Sequence, residues 1–409
     1  MRTWSLYILL LSLLISGCFA SYNNQTYFRP VQNRNLPNPN GDVIRVYLDK
    51  YGYFYPDVAV PIDKQVFLRP YEHVKDADTT GANLYYYFTH NSSSLNLLSR
   101  FYHVPGNADT DKVYNDVEDK EIAAYTSAIH KMVLRQHADK YVVFIHGFNE
   151  KDATADYDSL RKKINEGHYN DKRRIIFIEI YWDGLRNLDK KIRSAITIWV
   201  HAQNNSRYVG LALRELLDNL KDRLPLVMIT HSLGASVGTG ALFNCTSKWR
   251  PLKDERDQAE MDNLIKMRTP DFPEVRLGML APAMPGVNTF IDFNKRSPNI
   301  TAQDNHIYPI VIGYNPYDYA VSKWFLSAHV GATTLGCNYK TKNQTEIQRV
   351  KLILADSLHY DTTYINKLIV PIQFTTKRKF PILRLQEHEL LYYLQDKANV
   401  KKFLDDLFL

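Results

Sequence analysis

Residues 225–236 read Leu-Pro-Leu-Val-Met-Ile-Thr-His-Ser-Leu-Gly-Ala, and this stretch constrains the fold of the chain more tightly than any other. An apolar run of strand length stops at Thr230-His231-Ser232-Leu233-Gly234, and a small-residue helix start follows. Such a pattern describes a sharp turn from strand to helix with a serine at its tip. The turn is so tight that side chains two before and two after the serine would collide unless small. Gly234 meets that demand fully and Thr230 in part. A serine held there projects its hydroxyl from the carboxyl end of a sheet, where the first amides of the next helix stabilise a developing anion. A serine N-cap on an ordinary strand-to-helix turn would give part of the same pattern.

A second short apolar run, Tyr141-Val142-Val143-Phe144-Ile145, leads into His146-Gly147-Phe148-Asn149. With these two motifs in this order, residues 140–365 resemble the α/β-hydrolase superfamily, especially its bacterial lipase- and esterase-like members. The resemblance implies an α/β fold, a mostly parallel sheet with helices on both faces, and Ser232 as nucleophile. It also implies an oxyanion hole built from the backbone N–H groups of Phe148 and Leu233, with Asn149 able to support or replace Phe148. His146 is then a turn-shaping residue. Thr230 departs from the glycine usual in the family at that place, which crowds the elbow and removes no catalytic group.

The other members of a triad follow the serine in the order acid, then histidine. Tyr308-Pro309-Ile310-Val311-Ile312-Gly313 delivers Tyr314-Asn315-Pro316-Tyr317-Asp318, so Asp318 is the expected acid, although turn chemistry after Asn-Pro also explains an aspartate there. Val350-Lys351-Leu352-Ile353-Leu354-Ala355 reads as the last strand, and His359 four residues beyond it is the expected base. His329 and His388, the latter placed in a C-terminal helix, read as surface or packing residues. In such a triad the imidazole takes the serine proton and returns it to the leaving group, while the carboxylate fixes its tautomer. The expected activity is therefore hydrolysis of a carboxylic ester, from a small molecule or a lipid, through an acyl-serine. An acyltransferase uses the same triad, and a non-catalytic lipid- or partner-binding member of the fold is a third possibility. No cofactor or metal is expected, because H-E-x-x-H, paired C-x-x-C and G-x-x-x-x-G-K-[ST] motifs are absent from the chain.

Met1-Arg2-Thr3 followed by an apolar run from Trp4 to Ile15, too short for a membrane span, reads as a signal peptide over residues 1–17. Leu14-Ile15-Ser16-Gly17-Cys18 resembles a bacterial lipobox, which would make Cys18 the lipidated first residue of an envelope lipoprotein, periplasmic or at the surface. Cleavage after Ala20 instead would release a soluble secreted protein. Sequons at Asn24, Asn91, Asn204, Asn244, Asn299 and Asn343 weigh little in so Asn-rich a chain. A Pro/Asn-rich tether would occupy 18–40, ahead of one elaborated hydrolase domain over 41–409.

With 409 residues and 45 % hydrophobic content, the chain can bury one large core. Its formal charge of +7 comes from interspersed charges of both signs and does not suggest nucleic acid. Cys245 and Cys337 would remain after lipidation of Cys18, free to pair in an oxidising compartment if they meet. Strands are expected near 141–146, 174–181, 225–230, 275–281, 308–313 and 350–355, with earlier ones at 42–55 and 83–89. Helices are expected near 116–136, 155–166, 188–202, 207–221 and 233–243. The tyrosines at 51, 53, 55 and 85–87 read as sheet packing. Residues 246–273 read as a solvated charged excursion. Residues 283–306 stand where the family inserts a small cap, with Met284, Phe290, Ile291 and Phe293 available to an acyl pocket or to the core; Tyr181-Trp182-Asp183 poses the same choice.

Overall fold

The computed structural model describes residues 22–23, 42–56, 58, 60, 83–106, 108–150, 153–169, 174–184, 186–187, 192–243, 272–290, 309–322, 333–341, 343–374 and 388–409. The expected leader, Cys18, nearly all of the tether, Cys245, His329, nearly all of the charged excursion and most of the cap segment, Ile291 and Phe293 included, lie outside the described residues.

Seven strands form the central sheet: β1 (Val43–Leu48), β2 (Lys140–Ile145), β3 (Ile175–Trp182), β4 (Leu226–His231), β5 (Val275–Leu280), β6 (Ile310–Tyr314) and β7 (Ile369–Gln373). Their order is β7-β6-β5-β4-β2-β3-β1, and every neighbouring pair is parallel. Such a sheet needs cover on both faces, so its strands read as continuous apolar runs. Along β2 the side chains alternate between two cores: Tyr141, Val143 and Ile145 enter one, Val142 and Phe144 the other. The first core is shared with helices Thr110–Gln136, Ile192–Asp218, Gly234–Phe243 and Glu346–Leu358, and the second with helices Thr154–Glu166 and Lys397–Phe408. The protein is thus an α/β fold with a parallel sheet between helical layers.

The crossover after β2 leads to β3 on one side, whereas β4 lies on the other side of β2 and continues to β5 away from it. The crossovers diverge between β2 and β4, and at such a switch point the carboxyl ends of the strands open a crevice suited to a ligand. His146-Gly147-Phe148 and Ser232-Leu233 both lie there.

Three expected elements are corrected. Residues 350–355 are helical, within Glu346–Leu358, not a strand. Ile347, Val350 and Leu354 are buried at helical spacing, Leu352 is 52 % exposed, and Thr345 with Gln348 forms a capping box. Residues 84–89 are also helical, because the Asn83 side chain accepts the Tyr86 N–H and caps them. The two helices expected over 188–221 are one, Ile192–Asp218. Asn205 and Ser206, between the two expected helices, are buried in its middle. Among the described residues no helix is long and apolar enough to cross a membrane.

Candidate active site

Ser232 follows the last residue of β4 and has a φ of +52°, a left-handed conformation that a serine seldom adopts. The backbone therefore turns sharply at the serine, as the small-residue pattern requires. Gly234 is indispensable to the turn: a Cβ there would sit 2.5 Å from the His146 carbonyl and 2.6 Å from that of Ile145. Gly147 abuts the serine itself, since a Cβ on it would lie 2.6 Å from Ser232 Cβ. Thr230 fits where a glycine was expected. Its hydroxyl donates to the Gly278 carbonyl at 3.3 Å, and its methyl group occupies the space left by the missing side chain of Gly238. Behind the elbow, buried Arg214 donates to the Ala241 carbonyl at 3.2 Å, a cation at the negative end of helix Gly234–Phe243.

The turn after β2 is held by His146. Its Nδ1 lies 2.7 Å from the Gly147 carbonyl and must donate to it, which leaves Nε2 to accept the Trp182 N–H at 3.1 Å. The Trp182 indole stacks on this imidazole and donates to the His146 carbonyl at 2.9 Å. Trp182 is fully buried and braces the turn. Met284 and Phe290 are likewise buried in the core. Phe148 follows Gly147, partly buried with its ring edge-on to Trp199. Leu233 immediately precedes helix Gly234–Phe243, and its amide is among the N-terminal N–H groups that have no partner within the helix.

Asp318 ends the turn after β6 and is fully buried. Asn315 shapes the turn by accepting the Tyr317 N–H at 3.0 Å. One oxygen of Asp318, Oδ1, accepts the amides of Ala320 at 2.9 Å and Val321 at 3.4 Å, the helix-cap role that turn chemistry anticipates. The other oxygen, Oδ2, accepts from His388 Nδ1 at 2.7 Å and from the Tyr393 hydroxyl at 2.9 Å. His388 completes the line, because its Nε2 accepts the Ser232 hydroxyl at 2.7 Å. Burial, and then the charge of Asp318, hold the Tyr393 phenol well above its ordinary pKa, so it remains a donor.

The histidine at Ser232 is therefore not the expected His359. That residue is the left-handed C-cap of helix Glu346–Leu358 and is exposed to solvent. The expectation failed with the strand that carried it: the last strand is β7, and His388 comes after it. The signal for β7 was Ile369-Val370-Pro371-Ile372-Gln373-Phe374, in which Pro371 argues against a central strand yet suits the edge that β7 occupies. Ser232 and Asp318 do meet, through His388. Tyr393 went unnoticed, because a tyrosine in an apolar run has no signature at the level of sequence.

Among the described residues Cys337 has no disulfide partner; its buried thiol is pushed up to about 12 by burial and the nearby Asp318 charge, so it stays protonated at neutral pH. Among the described residues no group of three or more His, Cys, Asp or Glu side chains is placed to hold a metal ion. Set against known proteins, the chain matches no family model, no curated protein and no solved structure.

Proposed function

We propose that this protein is a serine hydrolase of the α/β-hydrolase type that cleaves carboxylic esters through an acyl-serine. The observation that carries this proposal is the unbroken line from Ser232 Oγ through His388 to Asp318, with both hydrogen bonds at 2.7 Å. In the first step His388 Nε2 takes the Ser232 proton as Oγ attacks the ester carbonyl, and Asp318 stabilises the resulting imidazolium. The tetrahedral oxyanion is stabilised by the amides of Phe148 and Leu233, each such donor contributing about 2.7–4 kcal/mol to lowering the barrier. The imidazolium then protonates the alkoxide leaving group. Water, deprotonated by the same imidazole, releases the acid in the second half of the cycle.

A fluorophosphonate probe tests this directly. It should label the wild-type protein on the peptide containing Ser232 and leave Ser232→Ala unlabelled. An unlabelled wild type, or a Ser232→Ala variant that still labels, overturns the proposal. The proposal extends to location: on the Leu14-Ile15-Ser16-Gly17-Cys18 pattern, Cys18 tethers an exported enzyme to lipid without a membrane span. A mature chain beginning at Ser21 by mass spectrometry would overturn that part alone.

A further inference from the structure

His231, the residue before the nucleophile, is nearly buried at the end of β4. Its Nε2 lies 2.7 Å from the backbone carbonyl of His388, and the two imidazoles face each other at 5.1 Å with 37° between their planes. A carbonyl can only accept, so His231 Nε2 carries the proton and donates. The bond thus runs from the elbow to the main chain of the base. Through it, β4 determines both where the serine stands and where the imidazole is held relative to it.

We propose that His231 is a positioning residue: by its hydrogen bond to the His388 carbonyl it holds the base within reach of Ser232. The proposal rests on the hydrolase function above and adds a residue to it. The chemistry suits the task. The base becomes a cation when it takes the serine proton, and a second cation beside it would oppose that step. Burial, and then the proximity of His388, push His231 down to about 3, so it remains a neutral donor at working pH. Tyr393 acts at the other end of the same segment. Its ring is buried and its hydroxyl holds Asp318, so the short stretch from His388 to Tyr393 is fastened at both ends to the groups it must align.

The test compares His231→Gln, His231→Asn and His231→Leu. A glutamine amide nitrogen reaches the place of Nε2 and can donate, the shorter asparagine falls short of it, and leucine has no donor. The rate of fluorophosphonate labelling and the kcat for p-nitrophenyl acetate should drop about 10- to 100-fold in the Leu and Asn variants with KM little changed, the signature of misplacement and not of lost binding. The Gln variant should recover to within about threefold of wild type, as one restored hydrogen bond allows. The low-field proton NMR signal of His388 Nδ1 should persist in the Gln variant and broaden or vanish in the other two. If the Leu variant fails to fold, the Gln and Asn pair decides, since both are polar and of similar size. Equal rates for Gln and Asn, or wild-type rates for Leu, overturn the proposal. A wild type that never labels at Ser232 overturns the hydrolase function instead, while the NMR comparison still reports on the anchor.

Discussion

Asp318 and Asp49 are equally buried and differ in what faces them. Each carboxylate accepts backbone amides: Asp318 those of Ala320 and Val321, Asp49 those of Tyr51, Tyr53 and Leu84. Asp318 adds an imidazole and a phenol that donate to its free oxygen. Asp49 lies among Glu118, Tyr114 and Lys50 just past the carboxyl end of β1. Burial pushes its carboxyl up to about 7, against the pull of three amides and Lys50, and burial, with the charge of Asp49, also raises Glu118 well above the usual carboxylate range. Among the described residues, Glu118 Oε2 and the Tyr114 hydroxyl have no hydrogen-bond partner. Two acids of equal burial thus serve different ends. Asp318 faces the His388 imidazole, which reaches Ser232, and Asp49 fastens the end of β1 to the start of helix Leu84–Thr89.

Substitution of the two acids should separate these roles. Asp318→Asn should lower kcat roughly 10⁴-fold while the protein stays folded, by the known effect of removing the orienting carboxylate. Asp49→Ala should leave kcat within about threefold of wild type and lower the unfolding free energy by about 1–3 kcal/mol, the usual consequence of stranding buried amides. Equal losses of activity in steady-state kinetics would erase the distinction. Tyr393→Phe removes one of two donors to the same oxygen, and kcat should fall only about three- to tenfold.

The smallest effect is on pH dependence. Asp156 at the start of helix Thr154–Glu166 is pushed up to about 7 by burial and then by Glu150 and Glu389, much like Asp49. In the unfolded chain both titrate near about 4. Between those values the folded protein holds protons that the unfolded chain has released, so stability is fully present at low pH and is lost as pH rises through about 7. Thermal melts across this range should show the midpoint falling with pH in the wild type and falling less in Asp156→Asn. A midpoint that rises over the same range would contradict the assignment.

How much of this was legible in the chain depended on local pattern. The elbow was, because strand, tight turn and small-residue helix coincide at Ser232, and so was the paired turn at Gly147. Asp318 was placed by a strand followed by Asn-Pro. The histidine that meets Ser232 was not: Val350–Ala355 and Ile369–Phe374 are both short apolar runs, and only capping at Thr345 and burial of every third or fourth residue mark the first as a helix. Pro371 masked the true strand. His388 is brought to the serine by long-range packing of Leu390 and Tyr393, which no local period records.

The central claim is that His388, not His359, activates Ser232. Hydrolysis of p-nitrophenyl acetate by His388→Ala and His359→Ala tests it most directly. His388→Ala should lose on the order of 10⁴- to 10⁶-fold in kcat, as removal of a triad base does, and His359→Ala, altering only an exposed helix cap, should stay within about twofold of wild type. An inactive His359→Ala beside an active His388→Ala would contradict the account.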